Sequence, residues 1–439
     1  MRRHGARRWG RAGLMLVGAV GLLAVVPFSR LSRAPRVQGI AQGAGGRQLQ
    51  AGAATADIAF PLPVETVGYG LVRPEVHRAV QPPSARAVVL ASDDVRVGLV
   101  TLDLLLADAG LVDAVREAAA RLGLSMLWVT ATHTHSSAGG FAWNPVIQVA
   151  GTGRVRPDVR ASIVEAAARA LANAAGALRP VQALAGASEL AGATMSRDEF
   201  PEVDRRLTRI ELRADAGPVA QLVVLAAHPT LVARPPPGLD PDWPGRLARA
   251  EEQGGRGVTL VLQGNVGNVT VQRARVSEDE PAEAFAQVVS VALRSVPLQP
   301  LGPGLSYSRV EVTLPGPDAS RLVPWGTATL VDNVALWPWA PGWAEVALLR
   351  IGALRLLGVP VETTAASGRL LEGAAGGARV VSLANGYLGY VEPADRVVRG
   401  EGESRRQLFG PELLESLRFG TEATRAALRP SSETTDSTR

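Results

Sequence analysis

The sequence predicts an α/β (α+β) fold, because strand-like and helix-like segments alternate along most of the chain. Short apolar runs of strand length lie between alanine-rich segments with helical spacing. Two of the apolar runs are separated only by turn-type residues at Ser92–Asp94, which predicts a β-hairpin. Since the strands of a hairpin are antiparallel, this hairpin argues against a purely parallel sheet.

The individual elements follow in chain order. Residues 85–106, "ARAVVLASDDVRVGLVTLDLLL", predict the hairpin, and residues 107–123, "ADAGLVDAVREAAARLG", predict a helix that ends at Gly123. "SMLWVTAT" predicts a short buried strand, and "RPDVRASIVEAAARALANAAGAL" predicts an amphipathic helix. The later apolar runs "GPVAQLVVLAA", "GRGVTLVLQ", "ALRLLGVPV" and "GARVVSLA" predict further strands. We find no internal sequence repeat.

Composition divides the chain into four parts. Residues 1–28 join an arginine-rich start to an uncharged apolar stretch, which predicts a secretory signal or a membrane anchor. In either case we expect the rest of the chain to be exported, either secreted or held on the periplasmic side of the inner membrane. Residues 29–47 are predicted to be a linker, residues 48–428 a single large domain, and residues 429–439 a disordered tail.

Residue usage excludes several classes of function. The chain has no cysteine, which excludes disulfides, cysteine zinc sites and thiol nucleophiles. All 46 basic residues are arginine, yet the net charge is only +5. Because no basic run occurs beyond residue 36, no nucleic acid is expected as a partner. The oligomeric state is open.

Polar residues of ligand type follow five of the predicted strands. They are His133, His228, Gln263 with Asn265, Glu362, and Asn385 with Tyr387 and Tyr390. Sheet proteins place their functional sites in the loops at strand ends, because the scaffold is rigid there and the loops vary freely. The five strand ends therefore predict one shared site.

The segment "ATHTHSSAGG" (131–140) indicates a metal site within that region. Residues i and i+2 of an extended segment face the same side, about 7 Å apart, so His133 and His135 face one cavity. In a chain without cysteine, His133, His228, Glu362 and a tyrosine are the natural ligands for a borderline ion such as zinc. The alternative is a pair of ordinary hydrogen-bonded histidines at a strand end, and the spacing alone does not decide between the two.

Three common hydrolase signatures are missing from the sequence. Metallo-β-lactamase-like enzymes carry Asp-His where this chain has Ser137 and Ala138. Many amidohydrolase barrels need a carboxylated lysine, and this chain has no lysine. No G-x-S-x-G motif is present, so a serine nucleophile of the α/β-hydrolase type is unsupported.

Eight further segments, taken in order, resemble the N-terminal catalytic domain of the neutral/alkaline, non-lysosomal ceramidase family over residues 50–412. They are "AGAATADIAFPLPVETVGYG", "ATHTHSSAGG", "MSRDEFPEVDRRLTRIEL", "AAHPT", "DPDWPG", "QGNVGNVTV", "VPVETTAASG" and "NGYLGYVEP".

The resemblance implies a zinc amidase that cleaves a linear amide, such as ceramide or another N-acyl lipid, inside one layered sandwich with two stacked mixed β-sheets flanked by helices. It implies four zinc ligands, which are His133, His228, Glu362 and Tyr390. It also implies that His135 acts on the attacking water and that Arg197 lies near the reacting group. Donors around Asn265 are an alternative to Arg197 for stabilising the oxyanion, and a surface salt bridge of Arg197 with Asp198 or Glu202 is the structural alternative.

The sequence departs from the family at positions near the substrate. "GNVTV" replaces a G-D-x-S-P segment, so that Thr270 stands where the family has an important serine and Asn268 where it has an aspartate. A later family tyrosine falls at Gly402. These changes leave two alternatives open: a membrane-tethered lipid-binding protein that has lost catalysis, and a zinc hydrolase of a non-lipid amide or ester.

Four of the eight tryptophans lie within residues 324–343, at positions 325, 337, 339 and 343. Indole rings favour the boundary between apolar and wet surroundings, so this segment predicts a lipid-facing lip over the site. Packing of a proline-rich loop onto the core is the alternative. An amphiphilic N-acyl amide is the expected substrate, with the N-terminal segment as the expected contact to the membrane.

Overall fold

The computed structural model describes residues 34–320 and 325–428, which form 21 strands and nine α-helices. The strands, numbered in chain order, are β1 Val37–Gly45, β2 Gln50–Asp57, β3 Val64–Glu65, β4 Glu75–Val76, β5 Ser84–Ser92, β6 Val95–Leu102, β7 Met126–Ala131, β8 Arg179–Pro180, β9 Gln182–Glu189, β10 Thr194–Ser196, β11 Arg206–Ala214, β12 Gly217–Leu225, β13 Val258–Gln263, β14 Val269–Val271, β15 Gln299–Pro300, β16 Leu305–Thr313, β17 Trp343–Ile351, β18 Leu354–Gly358, β19 Glu362–Thr363, β20 Arg379–Val381 and β21 Tyr390–Val391. The helices are α1 Ala109–Ala118, α2 Pro145–Ile147, α3 Pro157–Gly176, α4 Asp242–Gln253, α5 Pro281–Arg294, α6 Trp325–Val331, α7 Ala365–Ala374, α8 Ala394–Arg399 and α9 Leu413–Ala427.

Three five-stranded sheets make up the scaffold, and all three have the same strand order. The orders are β7-β6-β5-β2-β8 in the first sheet, β13-β12-β11-β9-β15 in the second and β20-β18-β17-β16-β1 in the third. In each sheet three consecutive strands pair antiparallel, and a fourth strand adds in parallel at one edge. A fifth strand pairs antiparallel at the opposite edge.

The connections repeat as well. One helix links the third and fourth strand of each sheet, namely α1, α4 and α7, and a second helix follows the fourth strand, namely α3, α5 and α9. The fifth strand follows this second helix in the first two sheets, whereas β1 from the beginning of the described chain occupies that edge in the third. The structure therefore contains a threefold repeat of elements that the sequence does not reveal. The repeat conserves the pattern of elements and contacts rather than the residues that form them.

One central core joins the three sheets. It is built from the inward faces of all three, for example Trp128 of the first sheet, Leu222 of the second and Leu349 of the third. Each outward sheet face packs against its own helix pair, in separate clusters around Ile163, Phe285 and Leu417. Burial of apolar surface on both faces explains why the predicted strands have nearly continuous apolar sequences.

The α/β (α+β) class and the single large domain are confirmed, and helices flank the sheets as expected. The number of stacked sheets differs, since the described residues form three large sheets where a pair was expected. The linker expected at residues 29–47 is wrong for Val37–Gly45, which is strand β1. This strand is mostly exposed and is held by main-chain pairing with β16, so its Gly- and Gln-rich sequence lacks a buried apolar pattern.

The expected signal or anchor segment and the expected tail lie outside the described residues. Within the part that the structure describes, no helix has both the length and the apolar character needed to cross a membrane.

Candidate metal centre

The three sheets direct polar side chains to one place. His133 lies two residues beyond the end of β7 in the first sheet, and His228 lies three residues beyond the end of β12 in the second. Glu362 follows β18 of the third sheet and begins the short strand β19, which pairs in parallel with β21. In that pairing Glu362 is opposite Tyr390, so the sheet register itself places a carboxylate beside a phenol.

Hydrogen bonds with the main chain orient both histidine rings. Nδ1 of His133 donates to the carbonyl oxygen of Leu105 at 2.7 Å, and Nδ1 of His228 donates to that of Val269 at 3.1 Å. A carbonyl only accepts, so each neutral ring carries its proton on Nδ1 and keeps a lone pair on Nε2. The two Nε2 atoms lie 3.3 Å apart. His133 also adopts a φ of +70°, an uncommon conformation for a residue with a side chain.

Glu362 completes the cluster. Its Oε2 atom lies 3.2 Å from Nε2 of His133 and 3.2 Å from Nε2 of His228, and the carboxylate is 1% exposed. Tyr387 donates from its hydroxyl to Oε1 at 2.7 Å, which fixes the carboxylate plane. The hydroxyl of Tyr390 lies 3.3 Å from Nε2 of His228.

Burial and neighbouring charges set the protonation states of these groups. Burial, followed by the positive charge of Arg197, lowers the pKa of His228 to about 4. Burial by itself would raise the pKa of Glu362, but the imidazoles of His133 and His228 hold it well below its usual value. Burial, and then the charge of Glu362, raise the pKa of Tyr387 and of Tyr390 well above 10. His228 is therefore neutral and Glu362 ionised near pH 7.

This donor set fits a divalent cation. Nε2 of His133, Nε2 of His228 and Oε2 of Glu362 face one another at 3.2–3.3 Å, and Nδ1 of each ring is bonded to a main-chain carbonyl, so three ligand atoms converge on one point. Nitrogen and carboxylate oxygen ligands of this kind suit zinc. A ligand nitrogen of His135 also lies within 4.8 Å of those of His133 and His228, so a set of three histidines is the alternative.

His135 lies beside this cluster, and only one of its two ring nitrogens is hydrogen-bonded among the described residues. Its Nδ1 donates to the carbonyl oxygen of Gly68 at 2.7 Å, whereas its buried Nε2 has no hydrogen-bond partner among the described residues. The ring contacts that of Tyr69, with 5.3 Å between the ring centroids. Burial, followed by the neighbouring His133 and His228, holds the pKa of His135 well below its usual value. The neutral ring therefore keeps a lone pair on Nε2.

Arg197 contacts the cluster through Tyr390. It donates to the hydroxyl of Tyr390 at 2.7 Å and forms an ion pair with Glu403 at 2.6 Å. The expected alternative of a surface salt bridge with Asp198 or Glu202 is wrong, because Glu403 is the partner and the arginine side chain is 23% exposed. Burial would lower the pKa of Arg197, but Tyr390, Glu403 and Glu362 raise it, so the guanidinium stays charged.

A cavity of about 710 Å³ opens over the cluster. The metal-cluster residues His133, Glu362 and Tyr390 line it, and so do His135, Arg197 and Thr270. Val146, Ile147 and Leu408 give one wall an apolar surface. The cavity thus combines a polar floor with an apolar side, as small-molecule sites commonly do.

Three strand-end residues of the predicted site serve the scaffold instead. The side-chain amide of Asn265 donates to Asp204, and its carbonyl accepts from Thr363, so both polar atoms of this side chain are engaged within the scaffold. Gln263 donates to the carbonyl of Thr132, and Asn385 holds the main chain at Val129. Buried strand ends need such hydrogen bonds, and an Asn or Gln that meets this need looks the same in sequence as one that binds a ligand.

Two of the three departures from the family, Asn268 and Gly402, have clear structural settings. Asn268 accepts from the amide of Ala365 at the start of α7 and donates to Ser196, which ties two loops of the site together. Gly402 has a φ of +58°, and a Cβ atom there would lie 2.5 Å from a carboxylate oxygen of Glu392. The loop around Gly402 therefore has no room for a tyrosine in this conformation.

Several residues that complete the site are not evident from the sequence. Tyr69, Arg234 and Arg406 line the cavity, and Glu403 holds Arg197. Of these, only Tyr69 lies within a family-like segment that is quoted above, and the others sit in loops without a motif. Tyr387 follows a predicted strand, but its contact with Glu362 could not be inferred without the loop conformation.

The sequence matches none of the protein-family models and none of the curated proteins with which it was compared. The structure is similar to that of neutral ceramidase from Pseudomonas aeruginosa, with a TM-score of 0.75 and 19% sequence identity, over 87% of this chain and 75% of the ceramidase chain. It is also similar to a ceramidase complexed with C2, with a TM-score of 0.74 and 20% identity over the same shares of the two chains. The resemblance noted in the sequence is thus confirmed at the level of the fold.

Proposed function

We propose that this chain, whose fold is that of the neutral ceramidases, is a zinc-dependent hydrolase of a linear N-acyl amide. The observation that carries the proposal is the meeting of His133, His228 and Glu362, one from each sheet, with their ligand atoms 3.2–3.3 Å apart. Tyr390 is the fourth residue assigned to the metal. Export of the protein is part of the proposal and rests on the predicted signal or anchor at residues 1–28.

The residues around the metal centre supply the rest of the chemistry. When bound, zinc supplies a Lewis acid that lowers the pKa of water and polarises a carbonyl group. His135 accepts a proton from the attacking water at Nε2 and returns it to the leaving amine, which its neutral state allows. Arg197 donates to the oxyanion of the tetrahedral intermediate, and Thr270 offers a hydroxyl on the same cavity wall.

The apolar features around the cavity support an acyl chain in the substrate. The wall of Val146, Ile147 and Leu408 continues into a small adjoining pocket lined by Leu336, Trp339 and Phe409. Of the predicted tryptophans, Trp337 and Trp339 are 51% and 52% exposed and Trp343 is 36% exposed, while Trp143, which lies outside that segment, is 52% exposed. These indoles support the lipid-facing lip that the sequence predicts, rather than packing onto the core. The side chain of Trp325 lies outside the described residues.

Hydrolysis of a fluorescent N-acyl amide by the purified protein tests the proposal. We expect hydrolysis that is abolished by a chelator and restored by zinc, with a rate that rises steeply as methylenes are added to the acyl chain. A rate that is insensitive to chain length would instead support a zinc hydrolase of a non-lipid amide or ester. Binding of the lipid without turnover in zinc-loaded protein would support the lipid-binding alternative, which the replacements at Thr270, Asn268 and Gly402 favour.

A further inference from the structure

The cavity over the metal centre has an unusual balance of charge. Among the described residues that line it, three are arginines, Arg197, Arg234 and Arg406, and the one carboxylate is Glu362. Glu362 is assigned to the metal, whose own charge is positive. A substrate inside the cavity therefore meets a positive potential on more than one side.

The three arginines differ in how their charge is balanced. Arg197 and Arg406 share one partner, since Arg197 bonds to Oε1 of Glu403 and Arg406 bonds to Oε2 of the same carboxylate. Arg234 is exposed and forms no ion pair with any described carboxylate. Its guanidinium lies over the ring of Tyr69, 3.8 Å from the ring centroid, in a cation–π contact that holds its position without neutralising it.

The position of Arg234 indicates which half of the substrate it contacts. The ring of Tyr69 contacts both Arg234 and His135, with 3.8 Å from its centroid to the guanidinium and 5.3 Å from its centroid to that of the imidazole. His135 is the group that returns a proton to the leaving amine in the proposed function. The amine half of the substrate therefore points towards Tyr69 and Arg234, and the acyl half points towards the apolar wall at Val146 and Leu408.

The geometry points to an anionic group on the amine half of the substrate, bound by Arg234, so that the substrate class is N-acyl amino acids or N-acyl amines that carry a carboxylate. This inference rests on the proposed function. In the reaction, water adds its oxygen to the acyl carbon, the C–N bond breaks, and the proton passes through His135 to the amine nitrogen. The products are a fatty acid and the free amino acid, and no co-reactant is required.

Two matched substrates separate the effect of a carboxylate on the amine half from all other features of the substrate. N-dodecanoylglycine and N-dodecanoylglycinamide have the same acyl chain and the same scissile bond, but only the first carries a carboxylate. For the zinc-loaded wild type we expect kcat/KM to be about 10- to 100-fold higher for the glycine compound, the range expected for a hydrogen bond to a charged group. Because Arg234 is exposed, the preference should shrink as the ionic strength is raised.

Variants at position 234 assign the preference to this side chain. Arg234→Gln should remove the preference while hydrolysis of the glycinamide compound continues, and Arg234→Lys should keep part of it. Arg121→Gln, which removes an exposed arginine from the short helix after α1, is the matched control and should leave the preference intact. A preference that persists in Arg234→Gln overturns the assignment to Arg234.

The two proposals fail in different ways. If the wild type cleaves the uncharged compound as fast as the charged one, the anionic substrate is excluded while the amide hydrolase stands. If zinc-loaded wild type cleaves neither these nor any other N-acyl amide, the hydrolase is excluded and the anionic substrate falls with it. Zinc content and melting temperature of each variant establish that a lost activity is not a lost fold.

Discussion

Glu362 and Tyr390 are direct neighbours in a two-stranded parallel ladder, where residues 362–363 lie against residues 390–391. A one-residue slip of this ladder would place the two side chains on opposite faces of it, because side chains alternate along a strand. The candidate metal centre thus depends on main-chain pairing as well as on the side chains that converge there. The hydrogen bond from Tyr387 to Glu362 strengthens the same arrangement.

Loss of a histidine ligand should remove the metal. His133→Ala deletes one of the two converging Nε2 atoms, so zinc content should fall from about one ion per chain to a small fraction of that value. Elemental analysis of purified protein measures this. His77→Ala is the matched control, because His77 is 75% exposed and pairs only with Glu75 among the described residues. Full zinc content in His133→Ala would contradict the assignment.

Replacement of His135 should separate metal binding from proton transfer. We expect His135→Ala to keep its zinc and to lose about 10²- to 10⁴-fold in kcat, the range typical of a lost general base. Zinc analysis and steady-state kinetics on the same sample measure both quantities. Loss of zinc together with activity would instead make His135 a ligand, as its distance of at most 4.8 Å from the other two histidines permits.

Gly68 should tolerate no side chain. Its carbonyl oxygen holds His135, its φ is +111°, and a Cβ atom would lie 2.7 Å from Nδ1 of that ring. Gly68→Ala should therefore lower both the free energy of unfolding and kcat. The control is Gly70→Ala, since Gly70 also has a positive φ, of +68°, but faces open space. Urea denaturation should find Gly68→Ala less stable than the control by about 1–3 kcal/mol, the usual cost of overpacking. Equal stabilities would contradict the close approach.

Asp242 should make the protein less stable as the pH rises. Burial raises the pKa of its carboxyl to about 6, above the unfolded value near 3.8, so the folded state binds more protons between these two values. The stabilisation is complete below pH 3.8 and is lost as the pH rises through about 6. It amounts to about 3 kcal/mol at 1.36 kcal/mol per pKa unit.

Asp242→Asn removes this titration. Urea denaturation at several values between pH 4 and pH 7 should therefore give a free energy of unfolding that falls less with pH in Asp242→Asn than in the wild type. The amides of Leu231 and Val232 both bond to Oδ2 of Asp242, so the variant should also lose some stability at every pH. Parallel pH profiles of the two proteins would show that another group governs the dependence.

The sequence predicts those features of the fold and site that depend on local patterns. The hairpin at Ser92–Asp94 and the helix that stops before Gly123 are both present, because turn chemistry and apolar spacing act over a few residues. The histidines after β7 and β12 lie at buried strand ends as expected. In contrast, the partners of Arg197 and the position of Arg234 depend on loops that are far apart in the chain. Those contacts come from tertiary packing, which short sequence patterns do not encode.

Strand β1 is the one element that keeps the three repeated units from being contiguous in the described chain. In the third sheet it occupies the edge that β8 and β15 occupy in the first two, although it precedes everything else that the structure describes. Val37 of β1 and Leu428 after α9 pack against the same cluster. A circular permutant that opens at the exposed Gly46 and joins residue 428 to residue 37 through a short linker would turn the scaffold into three tandem units. Each unit would then supply one of the residues His133, His228 and Glu362, and the permutant would show whether three separately connected units still bring these side chains together.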